Sequence, residues 1–261
     1  MATYLDRILE HHREMAAADG RRLAALIDET TSLPAARGFT AALKGRGALH
    51  VISEIKRRSP SKGDLNVGLD PGELAATYAA GGASCLSVLT DEEHFGGSVS
   101  DLRAARAACS LPVLRKDFTV SLHDVCDARL MGADCVLLIA AALGRDELIE
   151  MNDLARRIGL DVLVEIHDEA ELAIAIAAGA DLIGVNQRDL VTFQVDHDRA
   201  ARMAVLIPDH VVKVAESGVR GPADAAALQA AGYHAVLVGE TLVTSGDPAA
   251  VIRALRRHAD C

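Results

Sequence analysis

The sequence predicts an α/β protein, a (β/α)8 barrel with an additional N-terminal helical segment. Its 261 residues match the roughly 250 typical of one such barrel. A glycine-led pair introduces an apolar strand about every 50 residues: Gly82-Ala83 before CLSVL, Gly132-Ala133 before DCVLLI, Gly179-Ala180 before DLIGV and Gly232-Tyr233 before HAVLV, a weak internal repeat. A second set of short runs lies between these, HVISEI from His50, PVLRK from Pro112, DVLVEI from Asp161 and HVVKV from His210, which makes eight strands. Their near-continuous apolarity is that of parallel strands covered on both faces.

Before the first strand, two helices are predicted, Leu5 to Ala18 and a shorter one near Ala35 to Lys44. They form a helical extension (residues 1–47) ahead of the barrel (residues 48–261) within a single domain, and either plug the barrel or shape its site. Between strands the sequence becomes Ala- and Leu-rich with charges at helical spacing, as in Pro71 to Ala80, Asp146 to Arg157, Glu169 to Ala178 and Pro222 to Ala231. Even spacing favours closure, because every β/α unit then meets an equivalent neighbour; an open doubly wound sheet is the alternative.

Composition excludes several classes of function. A net charge of −10 disfavours nucleic acid and anionic membrane as partners, so a phosphorylated substrate would need a local cluster of cations. No apolar run approaches a membrane span and the N-terminus, Met1 to Gly20, lacks a signal-type core, so a cytoplasmic protein is expected. The cysteines Cys85, Cys109, Cys126, Cys135 and Cys261 are odd in number and widely spaced, which argues against disulfides and zinc. His11-His12 has no carboxylate or cysteine at ligand spacing, and His94, His123, His167 and His234 stand singly, so no metal site is expected. No G-x-G-x-x-G, Walker A or G-x-S-x-G motif supports nucleotide binding or serine hydrolysis.

In such a barrel the chemistry lies at the C-terminal strand ends, and these ends are rich in charge: Ser53-Glu54-Ile55-Lys56-Arg57, Arg115-Lys116-Asp117, Glu165-Ile166-His167, Asn186-Gln187-Arg188 and Glu216-Ser217-Gly218. Strand alternation turns Glu54, Lys56, Lys116, Glu165, Asn186 and Glu216 inward. Lys213 has the opposite parity and is read as a helix-facing lysine that snorkels to the surface. His167 is assigned the face opposite Glu165 and a structural role. Any one of these charges alone would be read as a solvated strand end, but two lysines and three glutamates on one rim need each other or a ligand. Gly218 and Gly239, in the loops after the last two strands, could let backbone N–H groups approach a phosphate. Arg57 to Asp64 forms a basic loop with the features of a flap, its cations beside Lys56.

The run from Ile52 to Gly63, ISEIKRRSPSKG, resembles the E-x-K-x-x-S-P-S-K-G signature of the indole-3-glycerol phosphate synthase family. Glu93 to Ser98, Leu114 to Phe118, Leu163 to His167, Gly184 to Leu190 and Ala215 to Val219 match in the family's order. The resemblance implies a cofactor-free enzyme of tryptophan biosynthesis, a carboxy-lyase, with a phosphorylated aromatic substrate; a monomer is expected. By similarity, Lys116 is the acid for ring closure and Lys56 and Glu165 supply the acid and base for loss of water. Glu54 would steer Lys56, and Asn186, Arg188 and Glu216 would orient the substrate and the catalytic groups. Ser59, Ser217, Gly218, Gly239 and the N–H of Glu240 become phosphate contacts, and Phe95 and Phe118 ring contacts. Gln187 and Glu240 are the departures from the family pattern, and only the backbone of Glu240 is expected at the ligand. Competing readings are another phosphate-binding barrel enzyme, such as an isomerase or an aldolase with Lys116 as a Schiff-base amine, and a non-catalytic barrel that senses a phosphorylated ligand.

Overall fold

A computed structural model describes residues 3–45 and 47–256; Cys261 lies outside them. Eight parallel strands form the barrel: β1 (His50–Ile55), β2 (Cys85–Leu89), β3 (Val113–Lys116), β4 (Cys135–Ile139), β5 (Asp161–Ile166), β6 (Leu182–Asn186), β7 (Val212–Glu216) and β8 (Ala235–Val238). β1 pairs with both β2 and β8, so the sheet is closed and the open alternative is excluded.

Helices α1 (Tyr4–Ala18), α2 (Leu23–Thr31) and α3 (Phe39–Ala42) precede the barrel. Between its strands lie α4 (Pro71–Gly81), α5 (Glu92–Phe95), α6 (Val99–Ala108), α7 (Leu122–Met131), α8 (Arg145–Arg157), α9 (Glu169–Ala177), α10 (Arg199–Ala204) and α11 (Pro222–Ala230). Helices α12 (Glu240–Val243) and α13 (Pro248–Arg256) follow β8. Many begin on a side-chain cap: Asp70, Ser98, Ser121 and Asp168 each accept from the backbone N–H three residues on, satisfying a donor the helix leaves free.

Alternation divides the apolar residues into two layers. Ile52, Leu114, Leu137, Leu163, Val214 and Leu237 fill the barrel, whereas Val51, Leu86, Val136, Val164, Val185 and Val236 pack under the helices. The inward set has the parity of the charged strand ends, so one pattern builds both core and site.

The N-terminal segment differs from expectation. Helix α2 occupies a stretch for which none was predicted, and the helix expected over residues 35–44 is only the single turn α3. Phe39 and Leu43 close the bottom of the barrel, where Arg37 N–H donates to Asp134 Oδ1 and Thr40 N–H to Asp161 Oδ2, each at 2.8 Å. Helix α1 instead reaches the opposite rim, so the extension both plugs the barrel and shapes its mouth. Cys85, Cys109, Cys126 and Cys135 are free thiols, and no described helix is long and apolar enough to cross a membrane.

Lys213 faces the helices as its parity requires but does not reach the surface. Its ammonium is buried and donates to the Ala204 carbonyl at 2.8 Å, serving one of the orphan acceptors at the end of α10.

Candidate active site

A cavity of about 710 Å³ opens at the C-terminal ends of the strands. Its lining includes all fourteen residues singled out from the sequence: Glu54, Lys56, Ser59, Phe95, Lys116, Phe118, Glu165, Asn186, Arg188, Glu216, Ser217, Gly218, Gly239 and Glu240. Strand ends supply the charged groups, and the loops after β1, β6, β7 and β8 close the walls.

Two ion-paired groups lie at its floor. At the end of β1, Lys56 Nζ is 2.5 Å from Glu54 Oε1, and Ser87 Oγ donates to the other Glu54 oxygen at 3.4 Å. On β3, Lys116 Nζ donates to Glu165 Oε2 at 2.9 Å and lies 3.6 Å from Glu216 Oε2. Asn186 Nδ2 donates to Glu165 Oε1 at 3.1 Å. Burial works against the Lys116 charge, but Glu165, Glu216 and Glu54 outweigh it and hold the ammonium above the ordinary lysine range.

Glu165 and Glu216 are driven apart. Burial favours the neutral form of both. At Glu165 the Lys116 and His167 charges and the bonds from Lys116 and Asn186 prevail, and its carboxyl stays ionised well below the usual range. At Glu216 burial prevails over Lys116, helped by the charges of Glu165 and Glu54, and the carboxyl is pushed up to about 8. Two acidic groups separated this way on one lysine provide an ionised base and a protonated neighbour at neutral pH.

Two glycines make room for this arrangement. A Cβ at Gly184 would lie 2.0 Å from Glu216 Oε1, and one at Gly239 2.4 Å from Glu54 Oε1. A glycine one strand away from each carboxylate therefore leaves the space the carboxyl occupies, a feature of the site that no strand propensity reveals.

Apolar side chains line the upper walls, and loop residues after the strands complete them. Phe95 and Phe118 face each other with ring centroids 6.2 Å apart, and Leu190, Phe193, Val195 and His197, which the sequence reading did not select, come from the loop after β6. Ser59 Oγ is buried with no hydrogen-bond partner among the described residues. Ser217 has φ +65°, and Gln187 Nε2 holds its carbonyl at 2.8 Å. Gln187, read from sequence only as a departure, thus braces a strained backbone position. The Glu240 side chain is partly exposed and 3.7 Å from Lys62 Nζ.

The basic loop after β1 forms a two-stranded antiparallel ribbon, Arg58–Ser59 against Gly63–Asp64. Only part of its charge serves the cavity. Arg57 pairs with Asp101 at 3.1 Å and Arg58 donates to the carbonyls of Glu92 and Glu93, leaving Lys62 as the loop cation in the lining.

The histidine readings need correction. His167 lies two residues beyond Glu165, so it keeps the same side of the chain, and its Nε2 is 3.7 Å from Glu165 Oε1. His12 finds carboxylates that its own helix lacks: Nε2 is 3.0 Å from Asp91 Oδ2 and 3.9 Å from Asp117 Oδ1. These could offer three ligand atoms to a cation, although Asp91 also binds His94 and caps α5, and Asp117 binds Thr90 and Arg115. The cluster anchors α1 to the rim, with the His12 ring 5.5 Å from that of Phe118.

Comparison with known proteins identifies the family. The family model for indole-3-glycerol phosphate synthase matches residues 5–255. The indole-3-glycerol phosphate synthase of a Nocardioides species is 57% identical over 203 residues, 78% of each chain, and that of Streptomyces griseus 50% identical over 250 residues, 95% of this chain and 93% of its own. Among solved structures, 3-hexulose-6-phosphate synthase superposes with a TM-score of 0.62 at 18% identity, over 80% of this chain and 98% of that one, a likeness of fold. With the family model spanning the barrel and relatives half identical over nearly the whole length, the chain belongs to the indole-3-glycerol phosphate synthase family.

Proposed function

We propose that this chain closes the indole ring of indole-3-glycerol phosphate, converting 1-(2-carboxyphenylamino)-1-deoxyribulose 5-phosphate with loss of carbon dioxide and water. The observation that carries the reading is a buried lysine within ion-pair distance of two carboxyls, beside a second lysine–glutamate pair, under an aromatic wall.

In this reading the substrate phosphate meets Ser59 and the backbone of Ser217, Gly218, Gly239 and Glu240, while Phe95 and Phe118 hold the ring. As the ring carbon bonds to the ketone carbon, Lys116 passes a proton to the ketone oxygen, stabilising the developing alkoxide. The carboxylate leaves as carbon dioxide and its bonding electrons restore the aromatic ring. Lys56, steered by Glu54, then protonates the hydroxyl, which departs as water, while Glu165 takes the proton from the carbon that enters the new double bond. Two protons are given and one is taken, so each turnover draws one from solvent, as conversion of a carboxylate to neutral carbon dioxide requires.

The aldolase alternative needs a neutral amine at Lys116, and the three carboxyls around it favour the ammonium. The test is to mix the purified protein with the carboxyphenylamino substrate and follow indole fluorescence. Ring closure without borohydride-trappable adduct is expected, and a trapped lysine adduct with no indole would replace the reading.

A further inference from the structure

Glu165 stands between a lysine and a histidine, and the steps above use only the lysine. Its Oε2 meets Lys116, while Oε1 faces His167 Nε2 at 3.7 Å. His167 follows the last residue of β5 and is absent from the cavity lining. Its Nδ1 lies 3.0 Å from Glu171 Oε2 in the first turn of α9, and the same oxygen accepts the His167 backbone N–H at 2.7 Å. A carboxylate only accepts, so the proton of that bond belongs to Nδ1 and Nε2 is left pointing at Glu165. Nε2 is buried and has no hydrogen-bond partner among the described residues.

The charges that act on the ring are Glu165 on β5, Glu171 on α9 and Arg199 on α10. Burial disfavours the charged ring, but the Glu171 bond and the two carboxylates outweigh both burial and Arg199, so His167 titrates above the ordinary imidazole value. Reaction changes the balance around Glu165. Once Lys116 gives its proton to the ketone oxygen, Glu165 loses its nearest counter-ion, yet it must remain ionised until water leaves. A carboxylate this buried would otherwise take up a proton itself.

We propose that His167 is a positioning residue for Glu165: held by Glu171, its imidazolium is the second counter-ion that keeps the carboxylate ionised and aimed between ring closure and loss of water. The role rests on the reaction assigned above, and its test is built to separate the two.

The His167 ring is titrated by NMR through its Cε1–H in wild type, Glu165→Gln and Glu171→Gln, alongside kcat and KM against pH for wild type and His167→Asn. Each carboxylate variant is expected to lower the His167 titration by about one pH unit, as loss of an opposite charge at this range does. His167→Asn is expected to lower kcat roughly tenfold near neutrality, the equivalent of one pKa unit, to leave KM unchanged, and to lack the fall in kcat expected of wild type as pH rises through the His167 titration. An unmoved titration in Glu165→Gln, or a His167→Asn variant with the wild-type pH profile, would overturn the role. Shifted titrations with no indole formed by wild type would uphold the pairing and overturn the reaction assigned to the site.

Discussion

Replacing Lys116 with Met keeps a long apolar stem at the end of β3 and removes the ammonium that contacts Glu165 at 2.9 Å and Glu216 at 3.6 Å. Two consequences can be sized separately. A positioned general acid contributes about 10²–10⁴-fold, so kcat should fall by roughly a thousandfold or more. Removing one partner of a buried ion pair costs on the order of 3–5 kcal/mol, but here the loss is smaller. Glu216 is already protonated near neutrality, and Glu165 keeps Asn186 and His167. A cost of about 2–3 kcal/mol at pH 7 follows, which a domain with about 5–15 kcal/mol of stability survives. The sign with pH is fixed by linkage: without Lys116 the folded-state pKa of Glu165 rises above its unfolded value, so stability is greatest at low pH and is lost as pH rises through the new folded value. Urea unfolding of wild type and variant at pH 5.5 and 8 measures this, and indole fluorescence measures kcat. A folded variant within tenfold of wild-type kcat would refute the acid role, and an equal destabilisation at both pH values would refute the electrostatic account.

Three further outcomes are expected. Glu216 titrates above its unfolded value, so wild-type folding takes up a proton between about pH 4.5 and 8, and its stability should fall by about 2 kcal/mol from pH 6 to 8 through this group. Glu216→Gln should remove that part of the slope, leaving the same-signed shares of His12 and His167 and the opposite-signed share of His50; identical slopes in urea midpoints would refute it. Gly184→Ala places a Cβ on the Glu216 carboxyl and should cost about 1–3 kcal/mol by overpacking, together with activity; a variant of unchanged stability and kcat would show that Glu216 has room to move. Ser59→Ala removes an otherwise unpartnered buried hydroxyl and should raise KM and weaken inhibition by inorganic phosphate about tenfold, the scale of one hydrogen bond to a charged group, with kcat preserved; unaltered phosphate inhibition would place the anion elsewhere.

Most of the barrel was legible because periodicity and closure are local signals that repeat. Ile52, Leu114, Leu163 and Val214 announce the inner face, and Glu54, Lys116, Glu165 and Glu216, each two residues further along, continue it. What escaped the sequence depends on distance in the chain. His12 meets Asp91 and Asp117 from other elements, and Gly184 is needed only because Glu216 of the neighbouring strand projects across it. Helix α2 is short, starts at Arg22 without a side-chain cap and ends in two threonines, so its packing on α7 decides its state where propensity does not. Lys213 shows the same limit: parity gives its face, and only the fold reveals the buried carbonyl it serves.

The site also resolves how a chain of net charge −10 can receive a substrate carrying both a carboxylate and a phosphate. Glu54 is paired with Lys56 and Glu165 with Lys116, while Glu216 carries a proton near neutrality. The carboxyls of the floor therefore present little net negative charge to the ligand. Above them, Arg188 lines the cavity and has no ion pair among the described residues; its guanidinium donates to the Phe193 carbonyl at 3.0 Å, which points it without neutralising it. Lys62 is shared only loosely with Glu240 at 3.7 Å. Pairing at the floor and unpaired or loosely paired cations at the wall thus separate two tasks. In the proposed reading, the buried pairs set the protonation states that chemistry requires, and the local field that attracts an anion comes from groups that can exchange a weak partner, or none, for the substrate.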